Sequence, residues 1–125
     1  MPDHVHVLLT LGERLTFAQV LGKTKATITR SLGRPVASGP VWQENAFEHR
    51  LRDDEDMESY GFYVFMNPYV AGLATMAESW SGWACSDDTR LRFLTSRTAD
   101  NAPAPEWLDR ARISDPRLIV RTGQP

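Results

Sequence analysis

The first residues of the chain alternate between apolar and polar positions, apart from Leu8. Val5, Val7 and Leu9 would share one face of a β-strand, because side chains along a strand repeat with a period of two. The opposite face would carry His4 and His6, about 6.6 Å apart at a rise of about 3.3 Å per residue. Two imidazoles at that spacing can bind one metal ion. The pattern therefore predicts a strand that belongs to a sheet and also supplies half of a metal site.

A long helix is predicted after this strand, from residue 17 to about residue 32. Thr16 is the N-cap, and Gln19 three residues later completes a capping box. Apolar residues then recur at helical spacing. Gly33 can take the left-handed conformation that ends a helix.

Short strands are predicted at three further places in the sequence. Residues 41–43 are β-like, residues 47–52 alternate between apolar and polar positions, and residues 118–120 form a short aliphatic run.

A second helix is predicted to begin in the acidic run that starts at residue 53. Asp53 or Asp54 would be its N-cap, and the helix would continue to about Met66 despite the cost of Gly61 in its interior. Pro68 disfavours helical geometry in the residue before it but suits a first helical turn, so we expect a break there or a new short helix at residues 68–71.

The remaining third of the chain carries weaker patterns. Trp80, Trp83 and Phe93 are predicted to dock on the domain and cover it. Residues 100–105 are rich in proline and alanine and predict a linker, and residues 106–112 predict a short helix.

Composition describes an ordinary soluble protein, with 42% hydrophobic and 24% charged residues. No apolar run approaches the roughly 20 residues that span a bilayer, so no membrane association is expected. The single cysteine, Cys85, excludes an internal disulfide. These features favour a cytoplasmic location.

The charge of the chain is distributed unevenly. Its net charge is −2, yet residues 14–52 hold seven basic and two acidic residues. A basic surface is the usual footprint of phosphate binding, although a solvated helix face is an equally good explanation. The candidates for contacts with nucleic acid are Lys23, Lys25, Arg30, Arg50 and Arg52.

The candidate chemistry centres on Tyr63 and Asn67, which share one face of the second helix at i and i+4. With the Asn67 amide oxygen, His4 and His6 would form a mixed, partly open ligand set that suits Mg²⁺ or Mn²⁺. Tyr63 would be the nucleophile that attacks a phosphodiester. Tyr60 is the rival nucleophile, and it lacks an asparagine four residues later.

Less specific explanations stay open for these residues. His4 and His6 could be polar residues on a solvated strand face, and Tyr63 could be an aromatic residue of the core. His49 could approach the metal or lie on a strand face. Trp42 is predicted to be a core residue, with stacking on a DNA base as the alternative.

Four blocks of the sequence, in the order given below, resemble the REP-associated tyrosine transposases. That family belongs with the single-tyrosine transposases of the HUH superfamily. The blocks are Met-Pro-Asp-His-Val-His-Val-Leu-Leu at 1–9, Gly-Pro-Val-Trp-Gln at 39–43, Glu-His-Arg-Leu-Arg-Asp-Asp-Glu-Asp at 48–56 and Tyr-Val-Phe-Met-Asn-Pro-Tyr-Val-Ala-Gly-Leu at 63–73. The resemblance implies an α+β fold. This would be a ferredoxin-like α/β sandwich with an antiparallel sheet, the two histidines on a central strand and helices packed on the sheet.

The same resemblance implies an activity and a division of the chain. Such an enzyme cleaves and joins hairpin-bearing single-stranded DNA through a 5′-phosphotyrosine intermediate. Tyr63 would be the nucleophile, His4, His6 and Asn67 the ligands of Mg²⁺ or Mn²⁺, and Lys25 a phosphate contact. Residues 1–73 would be the catalytic core and residues 74–125 a C-terminal extension.

The chain departs from the family at its start, where relatives have a further strand and helix before the first block. We therefore expect either a misassigned start or an N-terminally shortened core. In a shortened core the unpaired strand edge favours a homodimer or instability. The alternative function is a remnant that binds structured single-stranded DNA without cutting it. A structural metal-binding domain is a third possibility.

Overall fold

A computed structural model describes residues 1, 3–33, 39–44, 46, 48–52 and 56–113. The chain divides into two compact units. One comprises residues 1–8 and 51–125, and the other comprises residues 9–50. The described residues form three α-helices, namely α1 (Phe17–Leu32), α2 (Met57–Val70) and α3 (Trp107–Ile113), together with 3₁₀ helices at Asp88–Arg90 and Arg92–Ser96.

The prediction of a ferredoxin-like α/β sandwich is wrong, since no described residue belongs to a β-strand or sheet. Alternation predicts which face of a strand would be apolar, but a strand also needs a neighbour that pairs with its backbone. Residues 4–11, 41–43 and the described part of 47–52 instead lie outside regular secondary structure. As a result Val5 and Val7 are 55% and 59% exposed.

Helix α1 confirms its predicted start and end. The Thr16 hydroxyl accepts the backbone N–H of Gln19 at 3.3 Å, and the Gln19 side chain accepts the backbone N–H of Thr16 at 2.9 Å. Gly33 closes the helix with a φ of 60°. None of its residues is buried, so its stability depends on local caps and on partly covered contacts within residues 9–50.

Helix α2 starts later and ends later than predicted. Its N-cap is Asp56, whose carboxylate accepts the backbone N–H of Glu58 at 2.9 Å. The predicted caps Asp53 and Asp54 lie outside the described residues. The predicted break is wrong, because Pro68 lies inside the helix, in its last turn. Proline has no backbone N–H, so the backbone oxygen of Val64 loses its helical donor, and burial of the Pro68 ring offsets part of that cost.

The core of the unit that contains α2 is aromatic. The rings of Phe62 and Phe65 each contact Phe93 edge-on, with centroids 5.4 Å apart. Trp107 of α3 also contacts Phe93, at 5.7 Å. Trp80 and Trp83 are partly buried against this cluster. Trp80 and Trp83 therefore pack on this core as predicted, whereas Phe93 lies within the core and does not cover it.

The last described segment joins this core. Helix α3 matches the helix predicted at 106–112. Ala102, Pro103 and Ala104, within the predicted linker, are buried. The strand predicted at 118–120 lies outside the described residues, and the domain limits and the homodimer stay predictions. Over the described ranges, no helix is long and apolar enough to cross a membrane.

Candidate functional site

The two histidines of the first block lie side by side. The ring centroids of His4 and His6 are 4.9 Å apart, with the ring planes at 86°. His4 is exposed, whereas His6 is half-buried and its Nε2 atom is shielded from solvent. The pair therefore has one solvent-facing ring and one that faces the interior of its unit.

Tyr63 lies against the buried histidine. Its ring centroid is 5.7 Å from that of His6, and the two rings meet edge-on at 81°. The phenol oxygen of Tyr63 is shielded from solvent, like Nε2 of His6. Residues 57 positions apart in the sequence are thus brought together within one compact unit.

Helix α2 presents two different faces. Phe62, Phe65 and Met66 are buried in the aromatic core, while Tyr63 and Asn67 are only half-buried. Since α2 continues to Val70, Asn67 lies one helical turn beyond Tyr63 on the same face. The helix anchors one face in the core and carries the candidate nucleophile and the candidate ligand on the adjoining face.

Asp3 contacts His4 in a way that sequence analysis missed. Its carboxylate lies 2.6 Å from Nδ1 of His4. A carboxylate on one ring nitrogen fixes the imidazole tautomer, and leaves Nε2 as the atom that can bind a metal. This hydrogen bond from His4 also lowers the pKa of Asp3 below its ordinary value. The signal was present, since an aspartate directly precedes the histidine.

The donor chemistry fits a divalent cation. Two imidazoles lie together, and a carboxylate orients the exposed one in the manner typical of metal-binding histidines. No group of three or more His, Cys, Asp or Glu side chains in the described part of the chain could form a metal site. The amide of Asn67 stays the predicted third ligand.

The predicted nucleic-acid contacts fall in both units. Lys23 and Arg30 are exposed on α1, seven residues apart and so on one face. Arg50 is also exposed in residues 9–50, and Arg52 is exposed in the other unit. Lys25 is half-buried, and its ammonium donates to the backbone oxygen of Gln43 at 3.4 Å.

Lys25 also contacts Trp42, which sequence analysis assigned to the core or to a DNA base. Its ammonium lies 5.8 Å from the centroid of the Trp42 ring. Trp42 itself is half-buried. The two residues are 17 positions apart and belong to no common periodic pattern, so no local signal could have predicted their contact.

Comparison with known proteins gives two curated relatives. One from Haemophilus influenzae, provisionally named a REP-associated tyrosine transposase, is 28% identical over an alignment of 91 residues. The alignment covers 64% of this chain and 52% of that protein. One from Escherichia coli, named REP-associated tyrosine transposase, is 26% identical over 81 residues, or 64% of this chain and 47% of that protein.

The chain thus spans about half the length of the curated relatives it matches. No protein-family model matches it, and no solved structure does. Both relatives carry the family name that the four sequence blocks indicate, and they confirm that prediction. The chain is therefore related to the REP-associated tyrosine transposases.

Proposed function

We propose that this chain cleaves and joins hairpin-bearing single-stranded DNA through a phosphotyrosine intermediate, with Tyr63 as the nucleophile. The observation that carries the proposal is the edge-on contact between Tyr63 and His6, beside His4. A nucleophile next to a pair of potential metal ligands is the arrangement that metal-assisted phosphodiester cleavage requires.

Tyr63 would attack the phosphorus atom of the scissile phosphodiester. Its phenol oxygen forms a new bond to phosphorus, and the bond from phosphorus to the 3′ oxygen of the preceding nucleotide breaks. The phenol gives its proton to a water molecule that enters the site with the DNA, and the departing 3′ oxygen takes up a proton from water. The products are a 5′-phosphotyrosine link and a free 3′-OH, and reversal of the step with another 3′-OH joins strands.

His4, His6 and Asn67 are the residues that would hold Mg²⁺ or Mn²⁺. When bound, such a cation acts as a Lewis acid that polarises the phosphate and stabilises the charge that develops on the departing oxygen. Asp3 keeps the His4 ring in one tautomer and one orientation. Anchoring of α2 in the aromatic core limits the movement of Tyr63 relative to its unit.

The basic side chains would bind the DNA backbone. Lys23, Arg30 and Arg50 are exposed in one unit and Arg52 in the other, and Lys25 is half-buried on α1. Contacts of this kind neutralise phosphates without reading the base sequence, so binding should weaken steeply with added salt.

A covalent protein–DNA adduct tests the proposal. Purified protein with Mn²⁺ or Mg²⁺ and a hairpin-bearing single strand should give a band on a denaturing gel that combines protein and DNA. Tyr63→Phe should abolish the band. Tyr60→Phe is the matched control, since Tyr60 is also half-buried on α2, and it should leave the band unchanged.

Two outcomes would contradict parts of the proposal. An adduct that persists in Tyr63→Phe would show that another residue is the nucleophile. An adduct that persists after substitution of both His4 and His6 would show that these histidines hold no metal ion that the reaction needs. A wild-type protein that retards the same DNA on a native gel without any adduct would establish the alternative, which is binding without cutting.

A further inference from the structure

Trp42 is fixed to α1 by the hydrogen bonds of its indole group. Its Nε1–H donates to the backbone oxygen of Lys25 at 3.1 Å and to the hydroxyl of Thr29 at 2.9 Å. The Thr29 hydroxyl in turn donates to the same Lys25 oxygen at 2.8 Å. The three groups close a small polar network, so the indole ring has a defined position on the helix.

The side chain of Lys25 is held by the same segment that holds its backbone. Its ammonium lies 5.8 Å from the centroid of the Trp42 ring, within the range of a cation–π interaction. It also donates to the backbone oxygen of Gln43 at 3.4 Å. Residues 42 and 43 therefore contact both the carbonyl group and the ammonium of Lys25.

This arrangement distinguishes the two lysines of the chain. Lys23 is exposed, two residues away on a different face of α1, whereas Lys25 is half-buried beside the indole. An ammonium carries three N–H donors, so a bond to Gln43 leaves donors for a phosphate oxygen. A lysine that is already ordered loses less conformational freedom when it binds.

We propose that Trp42 is a positioning residue, which holds the Lys25 ammonium ready for a backbone phosphate of single-stranded DNA. This inference rests on the proposed function, because it assumes that DNA is the ligand of the basic residues on α1. It differs from direct stacking of Trp42 on a base, in which the indole would contact DNA independently of Lys25.

The contact itself can be tested without DNA. The chain has two lysines, so reductive methylation with a ¹³C label gives two lysine side-chain signals in an NMR spectrum, those of Lys23 and Lys25. The indole ring current should displace the Lys25 signal in the wild type. Trp42→Leu should bring it close to the Lys23 signal. A Lys25 signal that does not move in this variant would overturn the positioning role.

The consequence for DNA is tested by fluorescence anisotropy with a labelled hairpin-bearing single strand over a range of salt concentrations. Lys25→Met should weaken binding and reduce the slope of log affinity against log salt by about 0.7, the value for one phosphate contact on a single strand. Trp42→Leu should weaken binding in the same direction. The double variant should bind no more weakly than Lys25→Met alone.

Lys23→Met is the matched control, because it removes the same charge from the same helix at an exposed site. Its effect should add to that of Trp42→Leu. Independent, additive losses for Trp42→Leu and Lys25→Met would overturn the proposal in favour of base stacking. Circular dichroism verifies that α1 stays folded in each variant. Trp42→Phe, which keeps a ring but loses the indole N–H, should show a smaller coupling to Lys25→Met in the same direction.

The experiments distinguish failure of the proposed DNA cleavage function from failure of the positioning role of Trp42. A wild-type protein with no affinity for the strand would end the proposed function and the positioning role together, whatever the NMR result. Measurable binding with an unmoved Lys25 signal would end the positioning role alone.

Discussion

The carboxylate of Glu58, in the first turn of α2, accepts a hydrogen bond at 2.6 Å from the backbone N–H of Phe93. Its other oxygen accepts the backbone N–H of Arg92 at 2.9 Å. These N–H groups open the 3₁₀ helix Arg92–Ser96, whose own N-cap, Leu91, has no side chain able to accept them. Glu58 therefore caps a helix that lies 34 residues later in the sequence.

Replacement of Glu58 by alanine should destabilise the unit that contains α2. Two backbone donors lose a charged acceptor, which costs about 2 kcal/mol in total after partial access to water. Urea denaturation measures the loss, and faster hydrogen exchange of the Phe93 amide locates it. Glu106→Ala, at an exposed site, removes the same charge and should have almost no effect. Equal stability of the two variants would contradict the capping role.

Gly61 should not tolerate alanine, although alanine favours helix formation by about 1 kcal/mol. A Cβ atom there would lie 2.8 Å from Cδ2 of Leu91 and 3.0 Å from its Cδ1. Leu91 is only 5% exposed and has little room to yield, so overpacking of about 1–3 kcal/mol should outweigh the gain. Thermal or urea denaturation of Gly61→Ala should show a net loss of stability.

Gly22→Ala is the matched control for this prediction. Gly22 lies inside α1 with nothing within 4 Å of the added Cβ, so the substitution should stabilise α1 by about 1 kcal/mol. Shortening Leu91 to alanine should reduce the penalty of Gly61→Ala, because the clashing methyl groups are gone. A Gly61→Ala variant more stable than the wild type would show that Leu91 moves aside freely.

Tyr69 should make the unit sensitive to alkaline pH. Burial raises the pKa of its phenol above the ordinary 10.0, the Trp80 backbone opposes this effect, and the charge of Glu78 adds to it. The folded state therefore holds the phenol proton more tightly than the unfolded state. This contribution to stability is complete below pH 10 and is lost as the pH rises through the raised pKa.

The measurement is the free energy of unfolding as a function of pH. It should fall less steeply at alkaline pH in Tyr69→Phe than in the wild type. Tyr69→Phe also loses the hydrogen bond to the backbone oxygen of Glu78, at 2.9 Å, so its stability at neutral pH should be lower. Parallel pH profiles for wild type and Tyr69→Phe would refute the argument.

Asp3 should contribute to the affinity for a divalent cation without binding it. Asp3→Ala frees the His4 ring from its orienting carboxylate, and loss of such a partner weakens metal binding by about 10–100-fold. Titration of Mn²⁺, followed by electron paramagnetic resonance, measures this directly. Asp100→Ala, at an exposed turn, changes the net charge equally and should leave Mn²⁺ affinity unchanged. Equal Mn²⁺ affinities for the wild type and Asp3→Ala would show that Asp3 does not support metal binding.

Local signals explain what could be predicted from the sequence. Thr16 and Gly33 delimit α1 because a helix end depends on residues within a few positions of it. The sheet was predicted wrongly because strand pairing depends on distant segments, about which alternation in residues 4–11 says nothing. A break is predicted at Pro68 from its effect on the residue before it, yet Pro68 is buried and the helix continues to Val70.

In the candidate site, too, local relationships were predictable from the sequence and distant contacts were not. That Tyr63 and Asn67 share a face was predictable from their spacing, but the contact of Tyr63 with His6 could be expected only from the resemblance to a family. The roles of Glu58 towards Phe93 and of Trp42 towards Lys25 had no local signal. Assignment of Tyr63, His4, His6 and Asn67 to catalysis stays a prediction for the adduct experiment.

The aromatic cluster behind α2 has a practical consequence. Phe62, Phe65, Phe93 and Trp107 meet at fixed angles, each ring within 6.0 Å of at least two others. Ordered rings in such an asymmetric environment absorb left- and right-circularly polarised light differently in the near ultraviolet. The cluster therefore supplies an optical readout of whether the helix that carries Tyr63 is correctly seated, so a variant that loses activity can be separated from one that loses its structure.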